Sequence, residues 1–406
     1  MAVGKEEAIV YHPVKGFKLG TGSAGIKKPG RKDLVVMEIP VGSSLASVFT
    51  LNQFCAAPVR VAKKHLATGA LPRYLLTNTG NANAGTGEQG IVDAEACCQA
   101  LASKMRCDAE SILPFSTGVI GEPLPVAKIT AGLDSAIANL SEEGWEEAAH
   151  GIMTTDTRPK GASVQFEYQG KTVTVTGISK GSGMIMPNMA TMLGYVATDA
   201  EVEPNLLQRL LSHASDRSFN RITVDGDTST NDACILVATG QSGVEITDLE
   251  PVLMERFTQA LDQVMLSLAH AIVKDGEGAT KFVEVRVEKA GSTEEALKVA
   301  YTIAHSPLVK TALFASDPNW GRILACVGRA GVHELDVSDV QIWLDEVCIV
   351  DKGARATSYT EEQGQEVMNR ENICIRVILN RGGFADQVWT TDLSHDYVTI
   401  NAEYRS

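Results

Sequence analysis

Near its middle the chain reads Lys180-Gly-Ser-Gly-Met-Ile-Met-Pro-Asn-Met-Ala190-Thr191-Met-Leu-Gly-Tyr195, an apolar segment broken by glycine and proline in which one threonine follows a small residue. A hydroxyl is a poor nucleophile at neutral pH unless a base lies beside it, and the threonine's own α-amino group is such a base once the preceding peptide bond is cut. Because an α-amine has a pKa of about 8, it can accept the hydroxyl proton without a histidine. The segment therefore makes Ala190-Thr191 a candidate cleavage point and Thr191 a candidate nucleophile. The simpler interpretation is a buried β-branched residue that begins a strand.

Strands alternate with helices on both sides of this segment, a pattern that predicts an α/β fold. Residues 163–168 and 171–176 alternate polar and apolar side chains around Gln169-Gly170, which is typical of a hairpin with a two-residue turn, and this hairpin leads into Lys180. For a helix at 318–330, Asp317 is the predicted N-cap. Further helices are predicted at 91–104, 126–140, 204–218, 251–273 and 293–304, and further strands at 34–41, 74–78, 112–115, 191–198, 232–239, 340–349, 373–380 and 387–391.

The composition is that of an acidic globular protein: of 406 residues, 44% are hydrophobic and 21% charged, with a formal net charge of -14. This length suggests two or three folding units. Phosphate binding needs clustered lysine and arginine, so the overall charge disfavours nucleic acid and anionic membrane surfaces as partners. The N-terminal residues lack the apolar core of a secretory signal, and no stretch of about 20 apolar residues is present. We therefore expect a cytoplasmic protein without a membrane span.

No metal site is predicted from the sequence. The eight cysteines form no Cys-x-x-Cys pair and the eight histidines are scattered singly, so we expect reduced thiols and structural histidines. The stretch 225–236 begins like a calcium loop, but Thr230 replaces the required glycine and Leu236 the final glutamate. Two Gly-x-Gly-x-x-Gly matches, at 20–25 and 85–90, do not predict a dinucleotide site, because the first precedes no helix and the second contains an opposing Glu88.

A series of motifs extends in one order over almost the whole chain. The motifs are Gly20-Thr-Gly-Ser-Ala-Gly25, Asn78-Thr-Gly-Asn-Ala-Asn-Ala84, Ser116-Thr-Gly-Val-Ile-Gly121, Met153-Thr-Thr-Asp-Thr157, residues 180–193, Thr223-Val-Asp-Gly-Asp-Thr-Ser-Thr-Asn-Asp232, Asp317-Pro-Asn-Trp-Gly-Arg322 and Asn401-Ala-Glu-Tyr-Arg-Ser406. Together they resemble the ornithine acetyltransferase family, self-cleaving enzymes of arginine biosynthesis that often also work as N-acetylglutamate synthases. The resemblance implies a mixed-sheet, layered α/β fold of the self-processing ornithine acetyltransferase and aminopeptidase type.

The resemblance also implies roles for particular residues. Thr191 is the nucleophile, and the Thr117 hydroxyl and Gly118 amide stabilise the oxyanion of the tetrahedral intermediate. The substrates carry an α-carboxylate that needs a cation or hydroxyl donor, and ornithine's amines need a carboxylate, for which Glu277 is the natural partner. The match of residues 401–406 implies that the C-terminal tail folds back over the site. The implied substrate-binding residues are Thr154, Lys180, Thr191, Glu277, Asn401 and Ser406.

The implied reaction is a ping-pong transfer of an acetyl group from N-acetylornithine to glutamate through an acetyl-threonine ester. No metal or dissociable cofactor is needed, and acetyl-CoA serves as donor if the synthase activity is present, a point that the sequence leaves open. Residues 1–190 and 191–406 become the α and β chains, and the family implies a tetramer of two copies of each. Two alternatives remain: a self-processing aminopeptidase or amidase, and an uncleaved small-molecule-binding protein with an inert Thr191.

Overall fold

The computed structural model of this chain describes residues 2–5, 8–186 and 192–403. In these ranges helices and strands interleave, and the strands form mixed parallel and antiparallel sheets, which confirms the predicted α/β fold class. The helices are α1 (Ala57–Ala67), α2 (Gly87–Met105), α3 (Val126–Ala138), α4 (Trp145–Gly151), α5 (Pro204–Arg217), α6 (Pro251–Lys274), α7 (Thr293–Ala304), α8 (Pro307–Phe314), α9 (Trp320–Gly328), α10 (Glu361–Met368) and α11 (His395–Ala402).

The strands of the described residues fall into four sheets. In chain order they are β1 (Lys18–Gly22), β2 (Leu34–Glu38), β3 (Ser44–Phe49), β4 (Tyr74–Asn81), β5 (Ile112–Val119), β6 (Lys160–Tyr168), β7 (Lys171–Lys180), β8 (Leu193–Thr198), β9 (Glu201–Val202), β10 (Ala233–Ala238), β11 (Glu245–Ile246), β12 (Phe282–Ala290), β13 (Gln341–Leu344), β14 (Val347–Asp351), β15 (Ala354–Arg355), β16 (Asn372–Ile378) and β17 (Phe384–Thr391). The strand orders are β1-β2-β4-β5, β3-β10-β8-β7-β6, β11-β9 and β15-β14-β13-β16-β12-β17.

The four-stranded and five-stranded sheets pack face to face, and helices cover both outer faces, which gives four layers. Successive side chains of a strand point to opposite faces, so Tyr195 of β8 lies in the core between the sheets and Val196 lies in the core under α5 and α6. Helices α2 and α3 cover the outer face of the four-stranded sheet. The Tyr195 ring packs edge-on against Phe115, and its hydroxyl lies 2.7 Å from the Thr77 hydroxyl. A buried hydrogen bond thus joins the two sheets.

The six-stranded sheet has its own hydrophobic core, formed with α7 to α10 from residues between Val283 and Val388. After β17 the chain turns back toward the four-layered unit. The Asp392 carboxylate fixes this turn, because it accepts hydrogen bonds from the backbone amides of Thr280 and Lys281 at 2.8 and 2.9 Å. Helix α11 consequently lies beside the loop that follows α6.

Several local predictions are confirmed. Strands β6 and β7 pair in antiparallel register around Gln169 and Gly170, whose φ angles of 49° and 75° are those of the expected two-residue turn. The helix expected at 293–304 is α7, with the Ser292 side chain accepting a hydrogen bond from the Glu295 amide as its N-cap. Predicted boundaries elsewhere shift by a few residues; for example, β4 continues to Asn81 and β2 ends at Glu38.

Two local predictions are wrong. The single strand expected at 340–349 is a hairpin of β13 and β14, because Asp345 adopts a positive φ of 46° and reverses the chain. Asp317 is not the N-cap of α9: the Asn319 side chain accepts the hydrogen bond from the Arg322 amide at 3.1 Å, so the helix begins at Trp320. Here the asparagine, with the same capping chemistry as aspartate, lies two residues closer to the helix.

The predicted cleavage point divides a sheet between two halves of the chain. Strand β7 precedes it and β8 follows it, and the two pair directly, with Lys180 opposite Leu193. At the other side of the sheet, β3 pairs with β10, which again joins a strand from each half. Residues 1–190 and 191–406 thus share one five-stranded sheet and the two cores on its faces.

We predict that a chain cut between Ala190 and Thr191 remains one particle, because separation would expose the edges of β7 and β8 and both cores. Size-exclusion chromatography in native buffer should give one peak that contains both fragments, and denaturing electrophoresis of that peak should give two bands. Separate peaks in native buffer would contradict the shared sheet.

Candidate active site

The described residues line a pocket of about 270 Å³ at the carboxyl ends of the parallel strands β4 and β5. The strand ends provide one wall, the end of β7 and the loop after it a second, and the loop after α6 with α11 a third. Of the predicted site residues, those that line this pocket are Thr117, Gly118, Thr154, Lys180, Glu277 and Asn401. Ala190, Thr191 and Ser406 lie outside the described residues.

Thr117 and Gly118 belong to the carboxyl-terminal part of β5, which borders the pocket. Gly118 has a φ of 134°, and a Cβ atom at this position would lie 2.3 Å from the Gly80 carbonyl carbon, so only glycine fits. The Thr117 hydroxyl accepts a hydrogen bond from the Lys180 ammonium at 3.0 Å. Because the lysine is a donor only, the Thr117 O–H remains available to donate to an oxygen atom in the pocket.

Lys180 is the last residue of β7, and only 7% of it is exposed. Burial lowers the pKa of its ammonium, and the carboxylates of Asp156 and Asp232 partly offset that shift. An anionic ligand in the pocket would favour the charged lysine in the same way. The side chain is therefore suited to bind a carboxylate.

A buried ion-pair network lies behind Lys180. The Lys160 ammonium, 1% exposed, lies 2.6 Å from a carboxylate oxygen of Asp156 and 2.6 Å from one of Asp275. Burial on its own raises the pKa of Asp156, but Lys160 and Lys180 outweigh it, so that pKa lies well below its usual range. Asp156 also accepts from the amides of Thr154 and Gly181 at 2.9 and 2.8 Å, so the network fixes two walls of the pocket.

Glu277 belongs to the loop after α6 and is 7% exposed. Its amide donates to the Ser182 carbonyl at 2.9 Å, and its carboxylate accepts from the Asn401 side chain at 2.8 Å. Helix α11 thus brings the C-terminal part of the chain to the pocket. Gly183 packs directly on the carboxylate, since a Cβ atom there would lie 2.4 Å from the Glu277 carboxyl carbon.

The chain on both sides of the undescribed residues 187–191 is held by the segment 223–233. Before them, the Met184 and Ile185 amides donate to Asp225 at 2.6 and 2.8 Å. After them, the Met192 carbonyl accepts from the Ala233 amide at 3.1 Å. Gly183 and Met184 line the pocket, as do residues 229–231, so the described chain before the predicted cleavage point borders this site.

Asp232 is a buried carboxyl group that sequence reasoning did not single out. It is 3% exposed, and it accepts hydrogen bonds from the Met192 amide and the Ser229 hydroxyl, while one of its carboxyl oxygens has no partner among the described residues. Burial raises its pKa well above the usual value, and Lys180 opposes that shift. A buried carboxyl group with a raised pKa thus lies next to the residue that follows Thr191.

Three further features of the site were not predicted from the sequence. The Asp156–Lys160 pair has a spacing of four residues, but the sequence gives no sign that Asp275 completes it. Arg31 donates to the carbonyls of Met153 and Thr154 at 2.6 and 3.3 Å, and so supports the Thr154 wall from a distant loop. Most of the segment 223–233, which we call the clamp because it holds the chain on both sides of residues 187–191, was contained in a motif found in the sequence. The residues that the clamp contacts become visible only in the fold.

The sequence of the chain matches a known protein family. A family model described as the ArgJ family matches residues 18–406. The chain belongs to the ArgJ family. It is 61% identical over 407 residues to the arginine biosynthesis bifunctional protein ArgJ of Pseudomonas fluorescens, with 100% of both chains covered. This membership confirms the predicted family and the predicted acetyltransferase function in arginine biosynthesis.

Two solved structures of ArgJ-family proteins are similar to this chain. The crystal structure of the arginine biosynthesis bifunctional protein ArgJ from Bacillus halodurans is 39% identical, with a TM-score of 0.50, and covers 52% of this chain and 99% of its own. The ornithine acetyltransferase of Mycobacterium tuberculosis, solved in complex with ornithine, is 32% identical, with a TM-score of 0.36, and covers 44% of this chain and 93% of its own.

Two negative observations apply to the described ranges 2–5, 8–186 and 192–403. No helix there has both the length and the apolar character to cross a bilayer. No three His, Cys, Asp or Glu side chains there are grouped as metal ligands.

We predict that Gly183→Ala lowers kcat/KM for acetyl transfer by about tenfold to hundredfold, because the new methyl group must displace the Glu277 carboxylate. Steady-state kinetics of the purified variant measure this. Gly383→Ala is the matched control, since a Cβ atom there has no neighbour within 4 Å. Wild-type kinetics for Gly183→Ala would contradict the close packing of Gly183 on Glu277.

We predict that Asp232→Asn raises Tm at pH 7 while impairing activity. A raised folded-state pKa means that the native protein binds the proton more tightly, so ionisation of Asp232 destabilises the fold as pH rises above about 4. The stability gain of the variant should vanish near pH 4, where both side chains are neutral. Melting curves between pH 4 and 8 test this, with Asp216→Asn, on the exposed face of α5, as the control. A gain that does not depend on pH would contradict it.

Proposed function

We propose that this pocket transfers an acetyl group from N-acetylornithine to glutamate, and also loads it from acetyl-CoA, with Thr191 as the nucleophile. The observation that carries the proposal is the pairing of opposite charges in one small pocket: the buried Lys180 ammonium and the buried Glu277 carboxylate face it together. An amino acid carries the complementary charges, a carboxylate and an amine. The Thr117 hydroxyl and Gly118 amide border the same space and suit an acyl group undergoing attack.

The proposed activation is self-cleavage at Ala190-Thr191. The Thr191 hydroxyl attacks the Ala190 carbonyl, the peptide bond breaks to form an ester, and water hydrolyses that ester to leave a carboxylate at Ala190 and a free amine on Thr191. The hydrogen bonds from the clamp to Met184, Ile185 and Met192 support this step, because they hold the chain on both sides of the bond. The matched Bacillus halodurans chain, covered to 99% by 52% of this chain, is about half as long, which agrees with one product of such a cut.

In the proposed transfer, the Thr191 α-amine takes the hydroxyl proton as the oxygen attacks the acetyl carbonyl of N-acetylornithine. Thr117 and Gly118 donate to the resulting oxyanion, ornithine leaves as the protonated amine, and an acetyl ester remains on Thr191. The amine of glutamate then attacks this ester, which gives N-acetylglutamate and restores the hydroxyl. Both amino acids occupy the same site in turn, so one set of charges at Lys180 and Glu277 serves both half-reactions.

The proposed assembly contains α chains of residues 1–190 and β chains of residues 191–406, two of each, in the cytoplasm. Acetyl-CoA is proposed as a second donor because the Pseudomonas fluorescens relative is named bifunctional and is 61% identical over its whole length. With this donor the Thr191 hydroxyl attacks the thioester carbonyl, and CoA leaves as the thiol. Thr154, Asn401 and Ser406 complete the proposed substrate contacts.

The kinetic test is acetylation of glutamate by the purified protein with each donor separately. A ping-pong scheme predicts parallel double-reciprocal lines when N-acetylornithine and glutamate are varied. Intersecting lines, or release of acetate in place of N-acetylglutamate, would contradict the proposed transferase and favour a hydrolase.

We predict that Glu277→Gln lowers kcat/KM for N-acetylornithine by about tenfold to hundredfold, since a hydrogen bond to a charged group contributes roughly 1.5–3 kcal/mol. Self-cleavage should persist, because it precedes substrate binding. Kinetics and denaturing electrophoresis of the same preparation measure both effects, and Glu366→Gln, exposed on α10, is the control. Equal loss of cleavage and transfer would indicate a folding defect and contradict the assigned role.

A further inference from the structure

Residues 27–32, Lys-Lys-Pro-Gly-Arg-Lys, form a positively charged loop on a protein whose net charge is -14. We call this segment the basic loop. It contains four cationic side chains and no acidic one. Asp33, which follows it, is buried and accepts from the amides of Ala24 and Ile26 at 2.6 and 2.7 Å, so it anchors the base of the loop. The loop thus projects its cations from a fixed base.

Three cations of this region have no acidic partner among the described residues. Lys28 is exposed, and Arg31 donates only to the Met153 and Thr154 carbonyls. Lys128 of α3, also exposed, donates to the carbonyls of Gly25 and Ile26 at 2.9 and 3.3 Å, which adds its charge to the loop. Carbonyl groups do not neutralise an ammonium or guanidinium, so three positive charges remain available to an anion.

The two other lysines of the basic loop form exposed ion pairs. Lys27 lies 2.9 Å from Glu122, and Lys32 pairs with Glu147. Exposed pairs of this kind contribute little stability, about 0–1 kcal/mol, so a phosphate group competes with them readily. These lysines add to the positive field near the loop.

The basic loop contacts the pocket wall from behind at two places. On one side Arg31 holds the carbonyl of Thr154, which lines the pocket. On the other side the Lys27 stem lies against Gly80, where a Cβ atom would be 3.0 Å from its Cγ atom, and Gly80 packs on Gly118. The basic loop therefore contacts one residue that lines the pocket, Thr154, and one that packs on a lining residue, Gly80.

We propose that the basic loop, together with Lys128, binds the phosphate groups of acetyl-CoA. This inference rests on the proposed use of acetyl-CoA as a donor. The pocket of about 270 Å³ suits an acetylated amino acid, whereas acetyl-CoA is much larger, so its nucleotide end must lie outside while its thioester reaches Thr191. Phosphates are recognised by arginine and lysine side chains, and this loop carries them next to the residues that form the pocket wall.

The test compares acetyl-CoA with N-acetylornithine as donors to glutamate in the purified enzyme. Lys28→Glu should raise KM for acetyl-CoA about threefold to tenfold, and leave kcat/KM for N-acetylornithine within about twofold. Salt should raise the wild-type KM for acetyl-CoA and reduce the difference between the two proteins. Lys298→Glu, the same charge reversal on an exposed position of α7, should change neither donor.

A second measurement uses adenosine 3′,5′-bisphosphate, which carries the phosphates without the thioester. It should inhibit competitively against acetyl-CoA, and Lys28→Ala/Lys128→Ala should weaken that inhibition. Unchanged KM for acetyl-CoA and unchanged inhibition in both variants would overturn the inference. Equal increases in KM for both donors would also overturn it, because the loop would then attract substrate carboxylates. A wild-type enzyme that uses N-acetylornithine but not acetyl-CoA would contradict the synthase part of the proposed function itself.

Discussion

The antiparallel pairing of β7 with β8 is the constraint on which the site depends. Lys180 and Leu193 lie opposite each other in the sheet, so the end of β7 and the start of β8 meet at one place. The segment 223–233 then holds the returning chain from both sides, through Asp225 before the undescribed residues and through Asp232 and Ala233 after them. The sheet, the segment 223–233 and the pocket are therefore one unit, and a cut between Ala190 and Thr191 falls outside every strand of that unit.

A second constraint is the burial of charge. Lys160, Asp156 and Asp275 form a network that is almost fully buried, and Lys180 and Glu277 are buried nearby. Burying ions costs free energy, and their mutual attraction does not always offset that cost. A buried ion pair is therefore weak evidence for stability. Their positions fit a catalytic pocket better: the network fixes Thr154 and Gly181 through their backbone amides, and Lys180 and Glu277 face the space that a charged amino acid would fill.

Local sequence signals predicted local structure well and distant partners poorly. The Gln169-Gly170 turn and the helix at 293–304 follow from residues that are adjacent in sequence. The sequence did not show that Asp345 adopts a positive φ, or that Asn319 and not Asp317 is the N-cap of α9, because neighbouring residues of similar chemistry compete for each position. Arg31, Asp275 and the Asp232 carboxyl oxygen that has no partner among the described residues acquire their importance only when the fold brings them near the pocket. Periodicity and spacing therefore gave no signal for them. The six predicted residues that line the pocket came from the family resemblance, not from periodicity.

The role of Thr191 as the nucleophile is tested most directly by the masses of the two chains of the purified protein under denaturing conditions. The masses are measured before and after the protein is mixed with N-acetylornithine in the absence of glutamate. We predict fragments that end at Ala190 and begin at Thr191, and the gain of one acetyl group on the 191–406 chain, which disappears when glutamate is added. A single uncut chain, or an acetyl group that never appears on the 191–406 chain, would contradict the central claim that Thr191 is the nucleophile.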